Sequence, residues 1–147
     1  MSETTRIAVI TAAERWIGTS YRHQGMTRGV GCDCLGLVLG IWRDLYDALP
    51  ERPGPYAPDW AEAGGGEGLL DAAARHCERR VGRAMPGDLL VFRWRPHLPA
   101  KHAGIMAAND RFIHAYQGHG VVSSALVPQW RSRIAGVFAF PDITIRS

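Results

Sequence analysis

A thiol, two histidines and the spacing between them are what could do chemistry in this chain of 147 residues. Cys34 follows Gly31-Cys32-Asp33 and opens a run in which Leu35, Val38, Leu39, Trp42, Leu45, Tyr46 and Leu49 recur at steps of three and four. That is the apolar stripe of a helix of about four turns, with Cys34 in its first turn. The free N–H groups there carry roughly half a positive charge, which favours thiolate over thiol and can bind a developing oxyanion. Taken alone, the stretch is better read as a small buried cysteine packing a helix start.

A thiol nucleophile needs a base, and the base needs a third group to hold its ring in the right tautomer. Six histidines compete for these places. His76 lies beside Arg75 and Arg79 on a helical stretch, and His97 and His119 fall in loops. His102 and His114 fall in two predicted strands of one hairpin around Asn109-Asp110. Side chains alternate along a strand, so the loop length decides whether the two rings share a face. A two-residue loop puts them on opposite faces. An odd loop, Ala108 to Asp110, opposes Gly104 to His114 and His102 to Tyr116, and makes the rings diagonal neighbours within hydrogen-bonding reach. A catalytic role therefore requires the odd loop. The same register sets Ile105 and Ile113 on the other face, and Met106 and Phe112 beside the histidines under the cysteine helix.

The elements around these residues fall in two halves. A first helix covers residues 2–16, with Ile7, Ile10, Ala13 and Trp16 or Ile17 on one face, Ser2 or Thr4 as cap, and Gly18 at its end. Residues 18–31 read as a loop containing Tyr21, His23 and Gln24. After the cysteine helix, Pro50 to Gly68 is a long proline- and glycine-rich loop of the kind that serves as a lid or binding loop, with Tyr56 and Trp60 to pack it down. Leu69, Leu70, Ala73, Cys77 and, at its far end, Val81 mark a third helix. Beyond Met85 come five short β runs: Leu89 to Trp94, His102 to Ala107, Arg111 to Tyr116, Val121 to Leu126 and Ile134 to Phe140. The expectation is one α+β domain over residues 1–147, with N-terminal helices packed on a five-stranded antiparallel sheet.

Composition narrows the function. With 46% hydrophobic and 21% charged residues, the chain reads as an ordinary globular protein large enough for one core. No stretch is long enough to span a bilayer and the first 17 residues lack a continuous apolar core, so neither membrane insertion nor a signal peptide is expected. Three cysteines, two of them only two residues apart, do not make a disulfide framework. A net charge of +3 with scattered arginines and no nucleic-acid motif reads as a solvated basic surface. Cys32, Cys34, His23 and one strand histidine could be weighed as a zinc site, but the cysteine spacing argues against it, and no metal or cofactor is expected.

The run Asp33-Cys34-Leu35-Gly36-Leu37-Val38, preceded by Tyr21 and Gly25 and followed by Pro86-Gly87-Asp88-Leu89, His102-Ala103-Gly104-Ile105 and Phe112-Ile113-His114-Ala115, resembles the NlpC family of papain-like cell-wall cysteine peptidases. Tyr21-Arg22-His23-Gln24-Gly25 and Gly31 to Leu37 look most like its branch encoded with phage tails and gene transfer agents. The resemblance implies Cys34 as nucleophile, His102 as general base and then acid, and His114 as the residue orienting His102. It implies that Tyr21 points its hydroxyl into the site and that Asp33 caps the helix. Arg22 and Arg28 are candidates to bind substrate carboxylates, against a reading as solvated surface arginines. Two departures are Cys32 and Leu35 around Asp33-Cys34, neither of which supplies catalytic chemistry, and Ser20-Tyr21 with His23-Gln24, which bears on the shape of the substrate groove and the bond cleaved.

The implied reaction is amide hydrolysis in peptidoglycan stem peptides, next to D-glutamate. The expected partners are peptidoglycan and the tail or baseplate proteins of a phage-like particle. Made in the cytoplasm, the protein would be carried on the tail and act in the host periplasm or cell wall. The alternatives are a catalytically silent structural or adaptor component of the tail, and an acyltransferase or amidase using the same three residues.

Overall fold

The computed structural model describes residues 1–52 and 67–143. Tyr56, Trp60 and most of the proline- and glycine-rich loop lie outside these residues. Helix α1 (Glu3–Glu14) is capped by Ser2, whose Oγ accepts the Thr5 N–H at 3.1 Å. Its buried face is Thr5, Arg6, Val9, Ala12 and Ala13, continued by Trp16, rather than the face of Ile7 and Ile17, which are 57% and 46% exposed. The reason is Arg6, which enters the interior because Asp88 is there to pair it at 3.0 Å. Helix α2 (Cys34–Tyr46) ends one turn earlier than its stripe suggested, because Asp47 turns left-handed at φ 60° and leaves Leu49 outside.

Trp16 is fully buried and lies over Gly40 of α2; a Cβ there would fall 2.2 Å from the indole. In an exposed helix, Gly→Ala gains up to about 1 kcal/mol from backbone entropy. Here overpacking against a ring that cannot retreat outweighs that gain. Gly40→Ala is expected to destabilise by roughly 1–3 kcal/mol, read from urea unfolding; a stabilised variant would show that the α1–α2 contact is loose.

A two-residue ladder of β1 (Met26–Thr27) with β2 (Gly31–Cys32) lies between α1 and α2, inside the segment read as loop, and among the described residues α2 is followed by α3 (Gly68–His76). The main sheet joins β3 (Glu78–Arg80), β4 (Leu89–Phe92), β5 (His102–Met106), β6 (Arg111–Tyr116), β7 (Gly120–Ala125) and β8 (Ile134–Ala139), in the order β3-β8-β4-β5-β6-β7. All its pairings are antiparallel. It has six strands, not five. The extra one is β3, which the sequence reading had absorbed into the third helix: α3 stops at His76, and Val81 is 97% exposed. An edge strand pairs on one side only and can carry charge on the other, so Glu78-Arg79-Arg80 lacks the apolar alternation that marks a strand.

The two faces of the sheet are covered differently. Ala103, Ile105, Ile113 and Ala115 share one core with Val9, Trp16, Leu37 and Ile41 of the helical layer. Leu90, Phe92, Met106 and Phe112 form a second core on the opposite face. Met106 and Phe112 therefore do not lie under the cysteine helix, and neither does the face of the histidines. Small alanines at 103 and 115 let α2 approach the strands closely, whereas the bulky rings need the other side. That side is closed by Trp130 on the short helix α4 (Pro128–Arg131), which begins with proline at a position where the missing N–H is harmless.

Candidate active site

The start of α2 is held by Asp33. Its extended backbone accepts the first helical bond from Leu37, and its Oδ1 accepts the Gly36 N–H at 2.8 Å. Its Oδ2 accepts the Gln24 N–H at 2.8 Å, so one carboxylate ties the preceding loop to the helix. Gly36 makes this possible, because a Cβ there would fall 1.8 Å from the Gly25 carbonyl oxygen. Cys34 is nearly buried, and its thiol donates to the Lys101 carbonyl at 3.6 Å, while the N–H groups of Ala103 and Leu35 point at the sulfur. Burial pushes this thiol up to about 12, the Asp33 carboxylate pushes the same way, and the two N–H groups act in the opposite direction. The sequence expectation of a thiolate favoured by the helix start is thus overturned. One free helix N–H, that of Gly36, is spent on the Asp33 carboxylate, and desolvation in a dry site outweighs the half charge that remains.

The hairpin of β5 and β6 sets the histidines. Ile105 opposes Ile113 and Met106 opposes Phe112, and the Ala107 N–H donates to the Arg111 carbonyl at 2.8 Å. The loop is therefore Ala108-Asn109-Asp110, the odd length, with Asn109 and Asp110 in the left-handed region at φ 60° and 54°. Continuing the register puts Gly104 opposite His114. A Cβ on Gly104 would lie 3.1 Å from the His114 Cβ, so the glycine leaves the room in which the two rings meet. His102 Nε2 and His114 Nδ1 are 2.8 Å apart, and His114 Nε2 is 2.8 Å from Ser124 Oγ.

Both rings lie in an aromatic box. Trp94 stacks on His102 with centroids 5.3 Å apart, Tyr116 stacks on His114 at 5.3 Å, and Trp130 sits edge-on to His114 at 5.2 Å. Burial drives His102 down to about 3, with the neighbouring His114 adding to the effect. Burial drives His114 down to about 4, with His119 second. Both imidazoles are neutral at neutral pH. Cys34 and His102 are not hydrogen-bonded to each other among the described residues; the sulfur instead lies against the backbone of the two residues flanking His102. His102 Nδ1 makes no hydrogen bond among the described residues.

The profile of the NlpC/P60 family matches residues 18–138, from the end of α1 to β8. This chain belongs to the NlpC/P60 family. It is 31% identical over 143 residues to the gamma-DL-glutamyl hydrolase of Bacillus subtilis (strain 168), covering 97% of this chain and 31% of that protein. It is 33% identical over 114 residues to the probable endopeptidase NlpC of Escherichia coli (strain K12), covering 77% of this chain and 63% of that one. The chain thus spans less than two thirds of either relative. Among solved structures, the NlpC/p60 domain of the peptidoglycan hydrolase SagA superposes with a TM-score of 0.65 at 21% identity, over 92% of this chain and 98% of that one. NlpC1 from Trichomonas vaginalis superposes with a TM-score of 0.66 at 19% identity, over 95% of this chain and 45% of that one. These superpositions show the α+β fold.

The remaining candidates are distributed around this NlpC/P60 site. Tyr21 bridges to Cys32 and is half-buried; burial raises its hydroxyl to about 12, and Cys34, Asp33 and Cys32 add to the rise, which puts it within electrostatic reach of the thiol. Arg22 and Arg28 are exposed, the stem of Arg22 crossing Gly31, and neither guanidinium has an ion pair among the described residues. His23 lies 3.8 Å from Asp33 Oδ2. His76 faces Glu51 at 2.9 Å, and His119 stacks on Tyr116. Among the described residues, no three His, Cys, Asp or Glu side chains gather as a metal would need, so the weighed group of Cys32, Cys34 and His23 with a strand histidine is not assembled. Sequence reasoning missed Ser124, Trp94 and Trp130. Ser124 could have been found by carrying the register one strand further: His114 opposes Val122, and Ser124 is its diagonal neighbour on the same face.

Proposed function

We propose that this chain is a cysteine peptidase that hydrolyses amide bonds in peptidoglycan stem peptides, next to D-glutamate. One observation carries the reading: the Cys34 sulfur rests between the Lys101 carbonyl and the Ala103 N–H, astride His102, whose Nε2 is already held by His114. Turnover begins when the thiol turns from the Lys101 carbonyl to His102 Nδ1 and gives up its proton there. The sulfur attacks the amide carbon, and the oxyanion is received by N–H groups at the start of α2 with the Tyr21 hydroxyl. Collapse expels the amine, which takes the proton from His102, and leaves a thioester. Water, deprotonated by His102, hydrolyses the thioester to a carboxylate and restores the thiol. The exposure of Arg22, ahead of β1, and of Arg28, in the turn between β1 and β2, supports a role for both in pairing with stem-peptide carboxylates. The names of the gamma-DL-glutamyl hydrolase and of the murein DD-endopeptidase MepS of Escherichia coli, 26% identical over 125 residues, support the substrate class.

The resemblance of residues 21–25 and 31–37 to the tail-encoded branch supports carriage by a phage-like tail, with action on the host wall during DNA delivery. Recovery of purified tailed particles without this protein would remove that part of the reading. A second reading is favoured by the resting chemistry: a thiol near 12 that donates to a carbonyl, facing neutral imidazoles, suits a silent adaptor that keeps the fold.

Mass spectrometry of purified peptidoglycan after incubation with the wild type and with Cys34→Ala separates the two. Stem-peptide fragments from the wild type alone, with glutamate at the new end, are the expected result. Fragments from neither protein, in solution or on whole particles, would establish the silent adaptor.

A further inference from the structure

We propose that Ser124 is a positioning residue that fixes the tautomer of both histidines, its hydroxyl oxygen accepting the Nε2 proton of His114. The inference rests on Cys34, His102 and His114 being the catalytic group, and it follows from counting protons along a line of three side chains. A neutral imidazole has one N–H donor and one acceptor nitrogen. His102 must present a lone pair at Nδ1 to take the thiol proton, so its own proton must sit on Nε2. Across the 2.8 Å contact that proton is donated to His114 Nδ1, which must then be the acceptor. His114 is left with its proton on Nε2, and the atom 2.8 Å from Nε2 is Ser124 Oγ.

The opposite polarity is equally well bonded and catalytically useless. There Ser124 donates to His114 Nε2, His114 donates from Nδ1 to His102 Nε2, and His102 carries its proton on Nδ1, facing a thiol that also carries one. The direction of one hydroxyl therefore decides whether His102 can act as a base. Ser124 is partly exposed, so its own O–H can be satisfied by solvent while its lone pair takes the His114 proton. His114 is 0% exposed, and its Nε2 has no other hydrogen-bond partner among the described residues. An acceptor at Nε2 also makes Nδ1 of His114 a stronger acceptor, which supports the imidazolium that His102 becomes during turnover. The hydroxyl moves no proton to or from substrate; it acts through His114.

The test compares wild type, Ser124→Ala and Ser124→Thr by two readouts. Long-range ¹H–¹⁵N correlation of the histidine rings reports the tautomers without any substrate. Peptidoglycan hydrolysis reports kcat and KM. In the wild type both His102 and His114 are expected as the Nε2–H form. Ser124→Ala is expected to populate the Nδ1–H form of His102 and to lower kcat by roughly 10–100-fold with KM unchanged, the usual toll for an outer partner of a functional histidine. Ser124→Thr, which keeps the hydroxyl, is expected to restore both. A wild-type His102 protonated on Nδ1, or a Ser124→Ala variant with unshifted tautomers and unchanged kcat, would overturn the assignment. A tautomer shift in Ser124→Ala, in a protein whose wild type never hydrolyses peptidoglycan, would uphold Ser124 and remove the peptidase reading. Hydrolysis with unshifted tautomers would do the reverse.

Discussion

Replacing His102 with alanine is expected to lower kcat/KM for peptidoglycan hydrolysis by roughly 10⁴-fold, the scale on which removing one member of a nucleophile–base–orienter group acts. The effect is large because the proposed reaction passes the thiol proton through His102 twice, as base and then as acid. The thiol stands near 12, so the spontaneous thiolate population at neutral pH is small, and the sulfur rests against the backbone of the two residues flanking His102. A loss of less than tenfold would mean that another base serves Cys34.

The same substitution carries a second signature. In the folded chain burial holds His102 near 3 and His114 near 4, whereas in the unfolded chain both titrate near 6.5. Between those limits the unfolded chain binds more protons than the folded one. Stability is therefore fully present above about pH 6.5 and is lost as the pH falls toward 3. Paired carboxylates add losses only lower down: Arg75 and His76 hold Glu51 below its ordinary value, and the Ala100 N–H and Arg93 do so for Glu67. The fall in thermal midpoint between pH 6.5 and 5 thus reports the histidines. His102→Ala is expected to make that fall shallower while lowering the midpoint at pH 7 through the cavity it leaves. An unchanged slope would place the buried histidines elsewhere than in this linkage.

Asp88→Ala is expected to cost about 3–5 kcal/mol, a large share of the roughly 5–15 kcal/mol by which domains of this size are stable. Asp88 is 0% exposed and binds two guanidiniums, Arg6 from α1 at 3.0 Å and Arg80 from β3, as well as the Met85 N–H at 2.8 Å. Arg6 also donates to the Pro86 carbonyl at 3.0 Å, and a Cβ on Gly87 would lie 2.9 Å from the Arg6 Cα. The turn Pro86-Gly87-Asp88 is thus the clamp between the first helix, the edge strand and the start of β4. Removing the carboxylate leaves Arg6, 8% exposed, charged and unpaired in the interior. Urea unfolding reads the cost directly, and a value below 1 kcal/mol would mean that Arg6 escapes to water when its partner is lost.

Much of the site was legible in the residues because it depends on local rules. The stripe from Leu35 to Tyr46 placed Cys34 in a first turn, and Asp33 before it is a side chain that caps helices. The hairpin required an odd loop if its two histidines were to meet, and strand alternation alone makes that demand; the loop is Ala108 to Asp110. What distant neighbours do to a residue was not legible. Glu78-Arg79-Arg80 becomes a strand only because β8 offers a free edge, and Arg6 is buried only because Asp88 arrives from 82 residues away. The helix start favours a thiolate locally, yet Cys34 is held as a thiol, since desolvation is set by everything packed around it. Likewise, alternation divides β5 and β6 into two faces but says nothing of which one α2 will cover. The packing of Ala103 and Ala115 under the helix, and of Trp130 over the histidines, decided that, because close approach is a property of two surfaces and a sequence describes one at a time.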